Sequence, residues 1–363
     1  MSSLQVKSVV VMAGGTGGHV FPALAVAEGL RDRGVKIHWL GTRAGIEAEL
    51  VPARDFPITY LEVSGVRGQG LKRLLLAPFK LVVAVLSAMK TLRAVEADAV
   101  IGLGGYVTGP GGVAARLLGK PLLIHEQNAI SGFTNRQLSH LATRVLEAFP
   151  GAFAPSAKVS VVGNPVRREI AALPAPAERF AEHEGVLRVL VLGGSQGAVA
   201  LNELVPEALA LLVKTQPLVI RHQCGKKNQE KAEAKYRALG VAAEVLPFIH
   251  DMAAIYAWAD LVVCRSGALT VSEIAAAGVG SVLIPYPFAV DDHQTANGKF
   301  LSEAGAAKLF QQQDLTAEKL AAELIPLLAR EKLLQMANAA RALAKPEATD
   351  TVVQACLDAG ASK

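Results

Sequence analysis

Aromatic residues make up only 5% of this 363-residue chain, there are three cysteines, and no apolar run reaches the roughly 18 to 20 uncharged residues that cross a bilayer. With so few aromatics and no basic-aromatic motif, the net charge of +5 does not point to nucleic acid, and no nucleic-acid partner is expected. Cys224, Cys264 and Cys356 show no metal or redox spacing, and Cys264 reads as a small buried thiol in an apolar strand, so a reducing cytosol is expected. Met1 to Lys7 leads straight into a strand without a signal-peptide pattern. Nucleotide fingerprints are missing as well. Counted from Gly15, the Gly-x-Gly-x-x-Gly pattern fails at Val20, and Gly41-Thr42-Arg43 stands where a ribose-binding carboxylate would end the second strand, which argues against NAD. No Walker-type loop occurs. No Asp-x-Asp occurs either; Asp291-Asp292 is adjacent and reads as solvated loop charge, so neither a metal nor a cofactor is expected.

What is present is apolar and punctuated by glycine. Hydrophobic residues reach 51% and the mean hydropathy is +0.33, in a chain long enough for two cores. Val9-Val10-Val11-Met12-Ala13-Gly14-Gly15-Thr16-Gly17-Gly18 and Val189-Leu190-Val191-Leu192-Gly193-Gly194-Ser195-Gln196-Gly197 each join an apolar run to a helical pattern, at 21–30 and 198–212. A buried parallel strand feeding a helix N-terminus reads this way, and the backbone N–H groups exposed there favour anions. Further strands are expected at 37–40, 58–63, 99–103, 122–125 and 144–146, then near Val189, Leu218, Ala243, Leu261 and Ser281; 317–344 reads as helical. Gly163-Asn164-Pro165 punctuates the stretch from Val159 and marks a crossing point. The expected fold is α/β: two Rossmann-like domains with parallel sheets facing a central cleft, over 1–164 and 165–346, with a final helix at 347–363 returning to the first. A phosphate-bearing ligand is the first functional expectation.

The block at 259–273 is more specific. Strand Asp260-Leu261-Val262-Val263-Cys264 meets the turn Arg265-Ser266-Gly267-Ala268 and then a helix through Leu269-Thr270-Val271-Ser272-Glu273. Its helix-start N–H groups suit a diphosphate, and Glu273, one turn in, is able to accept two ribose hydroxyls or simply to complement the helix dipole.

At this block, and at Gly14-Gly15-Thr16-Gly17-Gly18-His19-Val20-Phe21-Pro22, Gly104-Gly105-Tyr106-Val107-Thr108-Gly109-Pro110-Gly111-Gly112, His125-Glu126-Gln127-Asn128, Gly163-Asn164-Pro165-Val166-Arg167 and Gly193-Gly194-Ser195-Gln196-Gly197, the chain resembles the MurG family. The resemblance covers essentially the whole chain. It implies a GT-B fold and an inverting, metal-independent transfer of GlcNAc from UDP-GlcNAc to the C4 hydroxyl of MurNAc in lipid I, giving lipid II for peptidoglycan synthesis. By the same resemblance the donor residues are Thr16, Gly17, Gly18, Asn128, Arg167, Ser195, Ile249, Ala268, Leu269, Thr270, Val271, Ser272, Glu273, Gln294 and Asn297. Ser195 and the Ala268 and Leu269 amides suit the diphosphate, Glu273 the ribose, Ile249 the uracil edge, and Gln294 and Asn297 the sugar hydroxyls. His293 stands where the family often has Gln. The implied setting is the cytoplasmic face of the inner membrane, with association with other cell-wall synthesis proteins.

An inverting transfer needs a base for the acceptor hydroxyl. His19, after the first glycine turn, and Glu126, just past a strand, are both candidates; Tyr106 and Thr108 are expected to help hold the lipid diphosphate. Between Val66 and Val95, Arg67, Lys72, Arg73, Lys80, Lys90 and Arg93 occur with no acid, interleaved with leucine, valine and Phe79. That pattern fits interfacial binding to anionic lipid, or a core helix with a solvated basic edge. A soluble UDP-GlcNAc 2-epimerase, a nicotinamide oxidoreductase and a non-catalytic membrane adaptor are the competing classes. The first lacks need of the basic patch, the second fails the fingerprint, and the third needs neither glycine turn.

Overall fold

The computed structural model describes residues 6–63, 71–194 and 197–361; Arg67 and Ser195 lie outside them, as do the side chains of Lys72 and Arg73. The chain divides into two compact units, Met1–Val166 with Glu347–Lys363, and Arg167–Pro346.

The first unit holds a seven-stranded parallel sheet. Its strands are β1 (Ser8–Met12), β2 (Lys36–Gly41), β3 (Ile58–Tyr60), β4 (Ala99–Gly102), β5 (Leu122–Glu126), β6 (Arg144–Glu147) and β7 (Val159–Val161), in the order β3-β2-β1-β4-β5-β6-β7. β1, β4 and β5 are buried at every position, as expected of parallel strands covered on both faces, which read as continuous apolar runs rather than alternating ones. β1 pairs with β4 from Val9↔Ala99 to Met12↔Gly102. The second unit repeats the plan with β8 (Leu187–Leu192), β9 (Leu218–Gln223), β10 (Glu244–Leu246), β11 (Leu261–Cys264), β12 (Gly280–Leu283) and β13 (Ala307–Leu309), ordered β10-β9-β8-β11-β12-β13.

Both orders reverse direction beside the first strand of the unit, between β1 and β4 and between β8 and β11. At such switch points the connections leaving the two neighbouring strands run to opposite faces of the sheet, and open α/β sheets receive ligands there. The loops concerned lie at 13–16 and 103–107 in the first unit, and at 193–194 and 265–267 in the second.

Three elements depart from the sequence reading. Val159–Val161, expected as the beginning of a crossing, forms β7 and pairs with β6. The segment 317–344 is two helices, Ala317–Leu324 and Arg330–Ala342, because Pro326 lies in the turn Ile325–Leu327 and cannot continue the first helix. β13 is only three residues long, too short for a periodicity to show.

The helix Ala348–Ala361 packs in the first unit's core. Val352, Val353, Cys356 and Ala359 follow helical spacing and join Leu24, Ala27 and Leu30 in one buried cluster, while Arg33 reaches Asp350 at 2.9 Å on its rim. Val352 is fully buried. Val352→Ala removes two methyl groups from this core and is expected to cost about 2 kcal/mol. A Trp258→Phe background leaves buried Trp39 as the sole tryptophan reporting on this unit. In that background, urea unfolding should show a lower midpoint; an unchanged midpoint would mean the helix adds nothing to the core.

Candidate functional site

In the first unit, the loop after β1 runs into the helix Gly17–Asp32, capped at Thr16 in an extended conformation with no side-chain capping bond. The first turn carries no acidic residue, and His19 and Val20 donate their amides to the Thr16 carbonyl at 3.1 Å. The N-terminal positive pole therefore faces outward at Thr16, Gly17 and Gly18. The loop after β4 comes against it, backbone to backbone. A Cβ on Gly105 would lie 2.5 Å from the Gly14 oxygen, and one on Gly104 would lie 2.6 Å from the His19 ring; both glycines have left-handed φ angles of +87° and +108°. Only glycine satisfies the approach and the dihedral together. Half-buried His19 is thereby seated where the two switch-point loops meet, with Nδ1 3.4 Å from the Gly14 carbonyl oxygen.

The other first-unit candidates divide sharply. Glu126 is 2% exposed, and each carboxylate oxygen already accepts twice: Oε1 from the Asn128 amide and side chain at 3.0 and 3.1 Å, Oε2 from Gly132 N–H and Asn135 Nδ2 at 3.0 and 2.9 Å. It ties the loop after β5 into shape. A base needs an accessible lone pair, so this geometry speaks against the expectation that Glu126 takes the acceptor proton. Thr108 is fully buried and donates its hydroxyl to the Gly104 carbonyl at 2.9 Å, which turns it inward, away from the expected contact with a lipid diphosphate. Tyr106 is exposed. Buried His125 bonds through Nε2 to the Gly163 oxygen at 2.9 Å, and burial lowers its pKa. Gln127 donates to the Leu103 carbonyl at 2.7 Å and Asn164 to the Gln127 carbonyl at 3.0 Å. The run His125-Glu126-Gln127-Asn128 is largely a clamp holding neighbouring loops.

In the second unit, Gly193 donates to the Gln223 carbonyl at 2.8 Å, and the Gln223 side chain donates to Gly194 and Pro247 carbonyls at 2.9 and 3.3 Å. That brings the glycine turn and the segment holding half-buried Ile249 to one end of the sheet. After β11, the helix Ala268–Ala277 begins at Gly267 with no side-chain cap and no acid in its first turn. Arg265 fixes the adjoining loop: it donates to the Ile284 and Pro285 carbonyls at 3.0 and 2.9 Å and to Gln312 Oε1 at 2.6 Å. Gln294 accepts from Tyr286 N–H at 2.9 Å, and His293 Nδ1 meets the Val290 carbonyl at 2.7 Å within its own loop. Asn297 is fully buried and donates to the Ser266 carbonyl at 3.3 Å, so it braces the turn instead of facing the sugar hydroxyls as expected.

Ala268 and Val271 are buried, Leu269, Thr270 and Ser272 half-buried, and Ser272 bonds back to the Ala268 carbonyl at 3.0 Å. Glu273 is 4% exposed. Its Oε2 accepts from Tyr256 Oη at 3.2 Å, and Oε1 lies 3.8 Å from Arg167 Nε without a hydrogen-bond partner. Burial raises its pKa to about 7, with Arg167 and the Tyr256 hydroxyl offsetting only part of that cost. Tyr256 was not foreseen; its only sequence signal is an aromatic in a short helix, Met252–Trp258, ahead of β11. Among the described residues no group of three or more His, Cys, Asp or Glu side chains is arranged to hold a metal ion.

Two family models match the chain: the glycosyltransferase family 28 N-terminal domain over residues 9–147 and the family 28 C-terminal domain over 188–352. A UDP-N-acetylglucosamine–N-acetylmuramyl-(pentapeptide) pyrophosphoryl-undecaprenol N-acetylglucosamine transferase of Marinobacter nauticus is 54% identical, covering 97% of this chain and 98% of its own. The protein of the same name from Aeromonas hydrophila is 56% identical, with 96% of each chain covered. The crystal structure of Acinetobacter baumannii MurG superposes with a TM-score of 0.85 at 47% identity, over 97% of this chain and 99% of that one. A UDP-GlcNAc 2-epimerase from Neisseria meningitidis reaches 0.67 at 14% identity over 97% of this chain and 100% of that one, a likeness of fold alone. The chain belongs to glycosyltransferase family 28 and, within it, to the MurG family of N-acetylglucosaminyltransferases.

Proposed function

We propose that this chain transfers GlcNAc from UDP-GlcNAc to the C4 hydroxyl of MurNAc in lipid I, forming lipid II, with inversion at the anomeric carbon. The observation that carries the site assignment is the start of the helix Ala268–Ala277: an uncapped N-terminus at a sheet's switch point, with a buried carboxylate one turn in whose Oε1 lacks a hydrogen-bond partner. The Ala268 and Leu269 amides take the diphosphate, where the helix pole stabilises charge developing on the departing UDP. Glu273 takes the ribose, with Arg167 moving from its carboxylate toward the phosphates. Ile249 offers backbone groups to the uracil, Gln294 contacts the sugar, and Ser195, Thr16, Gly17, Gly18 and Asn128 complete the donor set. Thr270, Val271 and Ser272 serve by shaping the helix start.

His19 is the base. With Nδ1–H directed to the Gly14 carbonyl, Nε2 is the basic nitrogen that takes the C4 hydroxyl proton as the oxygen bonds to the anomeric carbon and the bond to the diphosphate oxygen breaks. Tyr106, exposed on the loop that carries Gly104 and Gly105, is available to the acceptor. Incubation with UDP-GlcNAc and a short-chain lipid I analogue should release UDP; His19→Ala should lower kcat by about 10²- to 10⁴-fold with UDP binding retained. Full activity in that variant would exclude His19 as base.

The pH dependence of donor binding follows from Glu273. Its folded-state pKa is raised, from 4.5 to about 7, so the fold holds the proton more tightly than the unfolded chain. Stability from this group is present at low pH and lost as pH rises between those values. Ribose hydroxyls donate to the ionised form, so UDP-GlcNAc, whose phosphates do not titrate there, should bind roughly tenfold more tightly at pH 8 than at pH 6. Glu273→Gln should flatten that dependence, and Glu273→Ala should weaken binding by about 1.5 to 3 kcal/mol. Calorimetry at both pH values measures each effect; a flat wild-type profile would remove Glu273 from the ribose.

The protein acts, in this reading, at the cytoplasmic face of the inner membrane. Among the described residues no helix is long and apolar enough to span a bilayer. The helix Leu71–Ala94 instead exposes Phe79, Leu81, Val82, Val83 and Leu86, with Lys80, Lys90 and Arg93 also exposed. Apolar side chains enter the headgroup boundary while each nearby cation adds about 1 kcal/mol on an anionic leaflet. Lys72, Arg73 and Lys80 replaced together by Glu should release the protein from anionic vesicles at low salt and leave turnover of a water-soluble acceptor nearly unchanged. Co-sedimentation run beside the soluble assay checks both; indifference of the wild type to lipid charge would rule out electrostatic docking.

A further inference from the structure

The peptide group between Gly14 and Gly15 carries two contacts at once. Its carbonyl oxygen lies 3.4 Å from His19 Nδ1, and its N–H donates to Glu47 Oε2 at 2.9 Å. Glu47 begins the short helix Glu47–Leu50 after β2 and is fully buried. Its Oε1 accepts from Thr42 N–H at 2.8 Å and from Thr42 Oγ1 at 2.7 Å. Space for this carboxylate is cleared by glycines: a Cβ on Gly14 would meet Oε1 at 2.5 Å, one on Gly41 would meet Glu47 Cγ at 2.8 Å, and one on Gly45 would collide with the carboxylate itself.

A carboxylate taken wholly out of water is costly unless each oxygen is bonded, and a hydrophobic side chain of similar size would fill the same space without that cost. The polar choice has a local consequence. Gly15 sits at φ +93°, and a peptide flanked by two glycines rotates easily. Rotation would take the N–H from Glu47 and the carbonyl from His19 together. The surrounding bonds restrain the same stretch: Trp39 Nε1 donates to the Ala13 carbonyl at 2.9 Å, and Ile46 N–H approaches the Gly15 carbonyl at 3.5 Å. A chain of hydrogen bonds also polarises along its length, so the carbonyl of a peptide whose N–H is bound by a carboxylate is the stronger acceptor.

We propose that Glu47 is a positioning residue for the transfer: through the Gly14–Gly15 peptide it orients the carbonyl that holds His19 in the Nδ1–H tautomer, leaving Nε2 basic. The relay rests on the reading of His19 as the base. It resembles the carboxylate that orients a catalytic histidine directly, with one peptide group interposed. At the end of β2, where a dinucleotide fold would turn a carboxylate outward to a ribose, this chain turns one inward beneath its own glycine loop.

The test uses Glu47→Gln and Glu47→Asp in the full chain. Gln presents an amide N–H₂ to one of the donors that Glu47 now accepts from, and Asp is a methylene too short to reach Gly15 and Thr42 together. Nitrogen-15 NMR of the imidazoles reads the His19 tautomer without substrate, with His19→Gln identifying its signals. Wild type should show mainly the Nδ1–H form and the variants at least about nine-tenths the Nε2–H form, with kcat lowered by about tenfold or more and the dissociation constant for UDP within twofold of wild type. Should Glu47→Gln not fold, Glu47→Asp carries the same measurements. A kcat that falls only with the folded fraction, or falls with the tautomer unchanged, overturns the relay. A wild type that transfers no sugar, or transfers equally well as His19→Ala, fails the functional reading instead, and the tautomer measurement stands apart from that result.

Discussion

Parallel strands buried on both faces leave only their carboxyl ends for chemistry, and the loops there cannot fold by burying apolar area. They are held by polar side chains that bond the backbone of a neighbouring loop. Gln127 grips Leu103, Asn164 grips Gln127, Gln223 joins Gly194 to Pro247, and Arg265 gathers Ile284, Pro285 and Gln312. Each such bond is worth only about 1 kcal/mol net, but leaving one of these buried groups unpaired costs about 1 to 3. The loops are therefore specified more by the penalty for other arrangements than by the strength of any one contact.

Glycine and buried polar residues belong to one design in these loops. Gly104 and Gly105 admit the first glycine loop and the His19 ring, and the Thr108 hydroxyl returns to the Gly104 carbonyl. Around Glu47, Gly14, Gly41 and Gly45 give up side chains so that one carboxylate fits. Removing the carboxylate would leave donors at Gly15 and Thr42 unsatisfied, while adding a methyl to any of these glycines would expel it. The two changes harm the same loop by opposite means.

The alternation of strand, glycine turn and helix was legible because both sheets obey it with long apolar runs, as β1 and β8 show. Two short edge elements were the difficulty. β7 has two exposed positions and β13 spans three residues, so neither offers the continuous apolar signal that marks a doubly covered strand. Residue type located the candidate site's neighbourhood but not the direction each side chain faces. Glu126, Thr108 and Asn297 stand in the motifs that attracted attention, yet their hydrogen bonds run into the fold. Those partners lie a few residues on in the same loop for Glu126, one turn away for Thr108 and in another loop for Asn297, and nothing in linear spacing distinguishes a carboxylate that clamps from one that reacts. Glu47 and Tyr256 carry no sequence signal for the converse reason: each stands outside a glycine motif and enters the site only through tertiary contact.

The two units apply the same topology with opposite electrostatics. In the first, Glu47 places a carboxylate under the glycine loop and consumes the Gly15 N–H that an anion would otherwise seek. In the second, the carboxylate stands a full turn inside the helix Ala268–Ala277, with Glu273 Oε1 unfilled and the helix start uncapped. A phosphate approaching Gly15 finds its N–H already bound to a carboxylate; one approaching the second loop meets amides, with Arg167 nearby and a carboxylate whose pKa burial raises to about 7. The fold alone therefore does not decide which half takes the nucleotide. What differs between the halves is how each buried carboxylate is satisfied: Glu47 accepts from Gly15 and Thr42, while Glu273 Oε1 has no hydrogen-bond partner.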